Sequence, residues 1–297
     1  MASQPAISRG QAPIRRKIFP AQLGLRSWFQ SILRDEYFAG LCILGCANGL
    51  GFAVINSVHT SGWRDALINT FGVSGIVWVA CFFGVTFVLQ NCTGKIQPRD
   101  LGMGAAFLVL IIVPIGWTSW AALTVLCLYM LMFTDANPSR IRGATLLLAV
   151  TLPMVWSHLA IHFFARPVLD IDASMVSWLL GTDRIGNMIR FADDSGYLVI
   201  FPSCSSLAGV SLAILCWVTA CQVTRHKRCA FDVLWCGLAC ASVVVINIAR
   251  MGFMGLSDWH YQTVHDQWGA SLANVLTLAF VAGFSLLGVR HELLSRI

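Results

Sequence analysis

The chain has 297 residues, of which 57% are hydrophobic and only 11% are charged. A soluble domain carries about 25% charged residues, so this composition excludes an ordinary soluble enzyme, a disordered chain and a disulfide-rich secreted domain. Long apolar runs predict a polytopic membrane protein instead. The net charge of +6 is typical of basic cytoplasmic loops and does not indicate nucleic-acid binding.

The first 36 residues lack an apolar segment of signal-peptide length, so we predict a cytoplasmic basic arm over 1–36 and a transmembrane domain over 37–297. Apolar runs near the ~20 residues needed to cross a bilayer predict an all-α helical bundle with eight spans. These are 37–57, 66–90, 101–116, 118–134, 143–165, 205–224, 229–250 and 269–289. The third and fourth spans lie so close together that one re-entrant pair is the alternative.

Basic residues fall mainly in the N-terminal arm, in alternate loops and at the C-terminus, which together hold 15 of the 20 Lys and Arg residues. The positive-inside rule therefore predicts that both termini lie in the cytoplasm. The five basic residues that this topology leaves outside are Arg64, Arg166, Arg184, Arg190 and Arg250.

A small extracytoplasmic element is predicted in the connection 166–203. Apolar and polar side chains alternate over Pro167–Leu180, which indicates an interfacial helix ending at Gly181. The turn formers Asp193–Gly196 then separate the apolar runs Met188–Phe191 and Tyr197–Phe201, a pattern typical of a hairpin.

Only one of the 11 cysteines, Cys204, lies at the outer surface on this topology. It has no disulfide partner there, and reactive thiols occupy partly exposed polar sites of this kind. The other ten fall within spans or at the cytoplasmic side, where a role as small packing residues is the simpler interpretation.

Two further polar groups reach the same predicted face. Arg250 ends the seventh span, and Asn247 lies on the same helix face at i−3, which favours contact with protein over lipid. An arginine that only snorkels to lipid phosphates is the alternative. The following outer loop, 255–269, contains His260 and His265, and an imidazole beside a thiol acts as a general base.

A second histidine pair, His158 and His162, shares one helix face near the outer end of the fifth span. This spacing suits a metal or haem ligand, yet no Cys, Asp or Glu accompanies the pair. Polar lining of a cavity or plain interfacial packing is the alternative, and we expect no metal and no cofactor.

Three segments resemble the exosortase/archaeosortase family of membrane-embedded transpeptidases, most clearly over 185–290. Pro202–Leu207 resembles the family's cysteine block, Asn247–Arg250 its arginine block and His265–Gly269 its histidine block. The chain departs from the family pattern at Ser203, where Ala is usual, and at Ser206, where Gly is usual. The added Cβ at 206 constrains the backbone beside the cysteine.

The resemblance implies a protein-sorting cysteine peptidase or transpeptidase with Cys204, Arg250 and His265 as catalytic residues. Cys204 would be the nucleophile, His265 the base and acid, and Arg250 the cation that favours the thiolate or holds the oxyanion. Asn247 and Ser205 are predicted supporting residues, and His260 is the rival to His265.

The resemblance also implies that the partners are membrane lipid and exported proteins that carry a C-terminal sorting signal, commonly linked to exopolysaccharide production, with no nucleic acid involved. The site would face the periplasm from a bacterial inner membrane. Two rival interpretations lack peptidase activity. One is a transporter or channel, and the other is an acyl or glycosyl transferase or polysaccharide-export assembly factor.

Overall fold

A computed structural model describes residues 32–113, 116–227, 229–265 and 267–290. Residues 1–31 of the predicted basic arm therefore lie outside the described residues. The described α-helices are α1 (Arg34–Ile68), α2 (Gly75–Leu89), α3 (Pro98–Ile112), α4 (Gly116–Met132), α5 (Pro138–Thr151), α6 (Ser157–Leu180), α7 (Ser206–Thr224), α8 (Phe231–Met254), α9 (Asp258–His265) and α10 (Gln267–Gly288).

Five helical segments among the described residues are long and apolar enough to cross a membrane. They are Arg34–Ile68, Pro138–Leu180, Pro202–Thr224, Phe231–Met254 and Ser271–Gly288. The predicted spans 66–90, 101–116 and 118–134 correspond to the shorter helices α2, α3 and α4, of 15, 15 and 17 residues. At 1.5 Å per residue these helices rise about 22–26 Å, less than a hydrocarbon core of about 30 Å.

The first helix begins at Arg34, inside the segment predicted to be an arm. Burial of two ion pairs explains this difference: Arg34 contacts Asp100 at 2.7 Å, and Asp35 contacts Arg140 at 2.6 Å. All four side chains are at most 2% exposed. Unpaired buried charges are costly, so these contacts join the starts of α1, α3 and α5 at one end of the bundle, here called the ion-pair end.

One predicted boundary is wrong. The fifth span and the interfacial helix form a continuous segment, Pro138–Leu180, in which a π-helical stretch, Leu152–Trp156, joins α5 to α6. The helix bends at Phe164 (φ −120°, ψ 27°) without ending. Pro167 follows three residues later, and its ring clashes with the carbonyl four residues before it, which accounts for a kink at this point. The predicted end is confirmed, since Gly181 caps α6 at φ 67°.

The backbones of helices α2 and α5 lie close together where Gly84 and Gly143 meet. A Cβ placed on Gly143 would lie 2.6 Å from the carbonyl oxygen of Gly84. Small residues allow this backbone contact, which is how apolar helices gain dispersion energy without a hydrophobic driving force. The largest buried apolar cluster includes Phe38, Phe107, Leu123 and Leu147.

The predicted hairpin is confirmed, and a third short strand extends it. Strands β1 (Arg184–Ile185), β2 (Met188–Arg190) and β3 (Tyr197–Val199) form an antiparallel sheet in the order β1-β2-β3. The described residues therefore form a helical bundle with one small sheet. The inner face of the sheet packs with α6 and α8 in a second apolar cluster, which includes Leu169, Ile189, Leu198, Ile200, Met251 and Met254.

Hydrogen bonds within the hairpin turn hold it closed. The Ser195 hydroxyl and amide donate to the Asp193 carboxylate at 2.6 and 3.0 Å. These bonds lower the pKa of Asp193 from its ordinary value of 3.8, because they favour the ionised form. The sheet lies at the end of the bundle where α7 begins, opposite the ion-pair end.

Candidate active site

Cys204 is the last residue of a 3₁₀ turn, Pro202–Cys204, which leads into α7. Pro202 supplies the fixed φ that starts such a turn, and Ser205 is the N-cap of the helix. The Ser205 hydroxyl accepts a hydrogen bond from the Leu207 amide at 3.3 Å. The sequence thus places a half-buried thiol directly before a helix N-terminus.

The main-chain N–H groups around the thiol all have acceptors. Those of Cys204 and Ser205 donate to the carbonyls of the preceding turn at 2.9 and 3.3 Å. That of Ser206 donates to the Asp172 carboxylate at 3.1 Å, and that of Leu207 donates to the N-cap hydroxyl. These four amides therefore offer no unoccupied pair of donors to a developing oxyanion.

A hydrogen-bonded network from three helices fixes the backbone of the cysteine. The Asn247 amide of α8 donates to the carbonyl of Cys204 at 2.8 Å and to the Ser206 hydroxyl at 3.0 Å. That hydroxyl in turn donates to Asp172 of α6 at 3.0 Å. Asp172 is 4% exposed, so its carboxylate depends on these bonds for its solvation.

Asn247 and Ser205, two of the residues singled out in the sequence, therefore lie beside Cys204, where one donates to its carbonyl and the other caps the following helix. Asp172 is the member of this network that sequence reasoning missed. It stands 34 residues before Ser206 among several polar residues of the same helix, and no local pattern distinguishes it from them.

Cys204 and His265 line one small cavity. Its wall also includes the strand segment Leu198–Phe201, the side chains of Met251 and Met254, and Tyr261. The cavity holds about 10 Å³, which is roughly room for one water molecule.

His265 reaches this cavity from α9. The predicted loop 255–269 is largely helical, because the Ser257 hydroxyl accepts from the His260 amide at 3.3 Å and so caps α9. His265 ends that helix, and its ring stacks on Tyr261 with centroids 5.0 Å apart.

His260 faces a different environment. Its Nδ1 lies 2.7 Å from the Ser257 hydroxyl, and its ring meets that of Trp259 edge-on with centroids 4.9 Å apart. It is not among the residues that line the cavity. Of the two candidate bases, the structure thus brings His265 to the thiol's cavity and leaves His260 outside it.

Arg250 lies within α8, one turn after Asn247, and α8 continues for four more residues. It is half-buried, and its Nε is buried without an acceptor among the described residues. Its neighbour Met251 lines the cavity, whereas Arg250 itself does not. The structure therefore brings two of the three predicted catalytic residues to one cavity and places the third on the adjoining helix.

The second histidine pair lies on an exposed part of α6. His158 and His162 are exposed on α6, and His162 packs edge-on against Phe163 at 5.2 Å between centroids. Within the described part of the chain, no three His, Cys, Asp or Glu side chains are grouped to hold a metal ion.

Comparisons of the chain with protein-family models, with curated protein sequences and with solved structures find no match.

Proposed function

We propose that the protein is a membrane-embedded cysteine peptidase or transpeptidase that cleaves a C-terminal sorting signal from exported proteins. The observation that carries this proposal is the cavity lined by both Cys204 and His265. A thiol and an imidazole that share a cavity can form the nucleophile–base pair of acyl transfer. The resemblance of the cysteine, arginine and histidine segments to exosortases and archaeosortases supports the same function.

In the proposed reaction His265 accepts the proton of the Cys204 thiol, and the sulfur forms a bond to the scissile carbonyl carbon. The tetrahedral intermediate then expels the amine, which receives the proton from His265. This step leaves a thioester on Cys204. An incoming amine completes transpeptidation, or water completes hydrolysis, and either nucleophile releases the thiol.

Arg250 is the proposed oxyanion stabiliser. The four amides from 204 to 207 already have acceptors, so a side chain must supply the stabilising charge. Arg250 follows Asn247 by one helical turn, and Asn247 contacts the Cys204 carbonyl. The buried Nε has no acceptor among the described residues, and a turn of the side chain towards the cavity would let it donate to the oxyanion.

Strand β3 is the proposed docking edge for the substrate. The main-chain N–H of Phe191 donates to the Gly196 carbonyl, and that of Ile200 donates to the Asn187 carbonyl. In an antiparallel pair, this pattern means that the main-chain groups of the even-numbered residues in and beside β3 point towards β2. The main-chain groups of Tyr197 and Val199 therefore point to the open side, where no described strand pairs with them. An extended peptide can bind such an edge by strand addition, and Val199 lines the cavity that contains the thiol.

The proposed setting is a bacterial inner membrane that the chain crosses eight times, with both termini in the cytoplasm. The distribution of basic residues supports this orientation. The end of the bundle that contains Cys204 would then face the periplasm, where exported proteins present their C-terminal signals.

The test is cleavage of a candidate tailed substrate by the membrane-inserted chain. We expect Cys204→Ala to abolish cleavage and Cys204→Ser to retain little of it, because a hydroxyl is a far weaker nucleophile than a thiolate. Cys92→Ser is the matched control and should keep full activity, since Cys92 is distant in sequence and its thiol donates to the Leu89 carbonyl at the end of α2. Mass spectrometry should find a thioester-linked peptide on Cys204 in the unchanged chain. Normal processing by both Cys204 variants would refute the proposal.

A further inference from the structure

A large polar cavity lies at the ion-pair end of the bundle, far from the thiol along α7. It holds about 910 Å³ and opens between the segment 135–142, the loop residues Asn91 and Thr93, and the end of α7. The proposed peptidase chemistry uses none of these residues. The cavity therefore needs its own explanation.

The lining of this cavity carries an excess of positive charge. Arg142 and Arg225 both line it, together with His226, whose ring nitrogen lies 2.8 Å from Asp232. Asp135 is the one carboxylate among the described lining residues, and Arg34 contacts it at 3.1 Å. The cavity is thus suited to an anion with several oxygen acceptors.

The two arginines are held in different ways. The Arg142 guanidinium lies 4.2 Å from the centroid of the Phe87 ring and donates to the Gln222 carbonyl. Arg225 is exposed, and no described residue pairs with its guanidinium. Its backbone adopts φ 56° as the C-cap of α7, a conformation that glycine adopts at lower cost. Capping of the helix therefore does not explain why an arginine, and not a glycine, occupies position 225.

An apolar groove continues from the polar cavity. It holds about 380 Å³ and is lined by Thr145, Leu148, Ala149, Thr151, Leu152 and Trp156. Thr145 lines both cavities, so the groove begins where the polar cavity ends. From Thr145 to Trp156 the helix rises about 16 Å, close to the depth of one bilayer leaflet, about 15 Å.

We infer that the two cavities form one binding site for an anionic phospholipid. The headgroup phosphate would lie between Arg142 and Arg225, and an acyl chain would follow α5 along the groove to Trp156. Guanidinium groups bind phosphate oxygens strongly, and the groove offers apolar contact at the depth of a lipid tail. A free phosphate would occupy only a small part of the polar cavity and leave the groove unexplained.

The experiment measures lipid binding to the purified full chain in detergent micelles by native mass spectrometry. Dioleoylphosphatidylglycerol, dioleoylphosphatidylcholine and inorganic phosphate are the three probes, each titrated over the same concentrations. We expect phosphatidylglycerol to bind most tightly, because the choline group of the second lipid carries a compensating positive charge. Inorganic phosphate should bind weakly.

Arg225→Gln should weaken phosphatidylglycerol binding about fivefold, the effect of losing one cation near a headgroup. Arg99→Gln is the matched control, because Arg99 is an exposed arginine at the same end of the bundle that does not line the cavity. Arg225→Gly should weaken binding similarly while raising the melting temperature of the lipid-free chain, since glycine suits the left-handed cap. A merely structural role for Arg225 cannot produce these opposite effects.

Thr145→Phe should block the groove and weaken phosphatidylglycerol binding without changing the binding of inorganic phosphate. Arg225→Gln changes an exposed side chain, so it tests the proposal even where Thr145→Phe fails to fold. Equal phosphatidylglycerol binding by the unchanged chain and by Arg225→Gln would overturn the inference. Inorganic phosphate binding as tightly as phosphatidylglycerol would overturn the assignment to a lipid.

Discussion

The carbonyl of Cys204 accepts a hydrogen bond from a neighbouring helix, so the backbone of the proposed nucleophile is held from outside its own turn. The hydroxyl of Ser206 stands at the centre of that arrangement, where it accepts from Asn247 and donates to Asp172. In the family that this segment resembles, glycine is usual at that position. The serine here therefore adds two bonds that a glycine cannot make.

Asp172 is expected to act as a positioning residue for Cys204. Asp172→Ala removes the acceptor for the Ser206 amide and hydroxyl, and we expect about a tenfold lower kcat for substrate cleavage with a smaller change in KM. Asp172→Asn should recover part of the loss, because its amide oxygen still accepts one bond. Asp170→Ala is the control on the same helix, as Asp170 is half-exposed and pairs with Arg184. A change confined to the amount of folded protein would contradict a positioning role.

The two histidines of α9 give a second prediction at this scale. We expect His265→Ala to lower the rate of substrate cleavage by roughly 10²–10⁴-fold, the usual contribution of a general base. His260→Ala should keep most of the activity, because His260 bonds Ser257 and does not line the cavity. The measurement is single-turnover cleavage at equal amounts of folded protein. Activity that survives in His265→Ala and disappears in His260→Ala would reverse the assignment.

At the scale of single helices and strands, the sequence predicts features that depend on neighbouring residues better than features that depend on distant ones. The end of α6 at Gly181 and the hairpin around Asp193–Gly196 depend on turn residues whose preferences act locally. The helix α9 was missed, because its eight residues are too few and too polar to show an apolar stripe. The sequence also does not predict that α6 continues through Pro167, since a proline inside a helix usually marks a boundary.

The open edge of β3 gives the prediction at this scale. Val199→Pro removes a main-chain donor that points away from β2, and proline is tolerated at such an edge. We expect KM for a peptide substrate to rise about five- to tenfold, the effect of one lost hydrogen bond, with little change in kcat. Val199→Ala keeps the donor and is the matched control. If both variants raise KM equally, the side chain contributes the binding and the edge does not.

For the whole molecule, composition and apolar runs were sufficient to predict a helical bundle whose long segments can cross a membrane. They were not sufficient to predict the contacts that close it. Arg34 is indistinguishable in the sequence from the other basic residues before it, yet it pairs with Asp100, which stands 66 residues away. The network at Cys204 likewise joins residues 34, 41 and 43 positions apart. Such pairs follow from packing of whole helices, which no local pattern encodes.

The buried pair of Asp35 and Arg140 gives the prediction at the scale of the bundle. Arg140→Met leaves the Asp35 carboxylate buried without its cation, and we expect a loss of about 3–5 kcal/mol in the free energy of unfolding. Adding Asp35→Asn should restore most of that loss, because no uncompensated charge then remains. Denaturant unfolding in detergent measures both variants. Equal stability of the single and double variants would contradict a charge-based explanation.

The same ion pairs have a consequence for how the chain is assembled as it is made. The partners of Arg34 and Asp35 are synthesised 66 and 105 residues later. At roughly 5–20 residues per second, α1 therefore waits between about 3 and 20 s with both charges unmatched. During this interval its charged end is stable only in contact with water. We therefore expect this end of α1 to stay at the membrane surface until α3 and α5 have been made and can supply its partners.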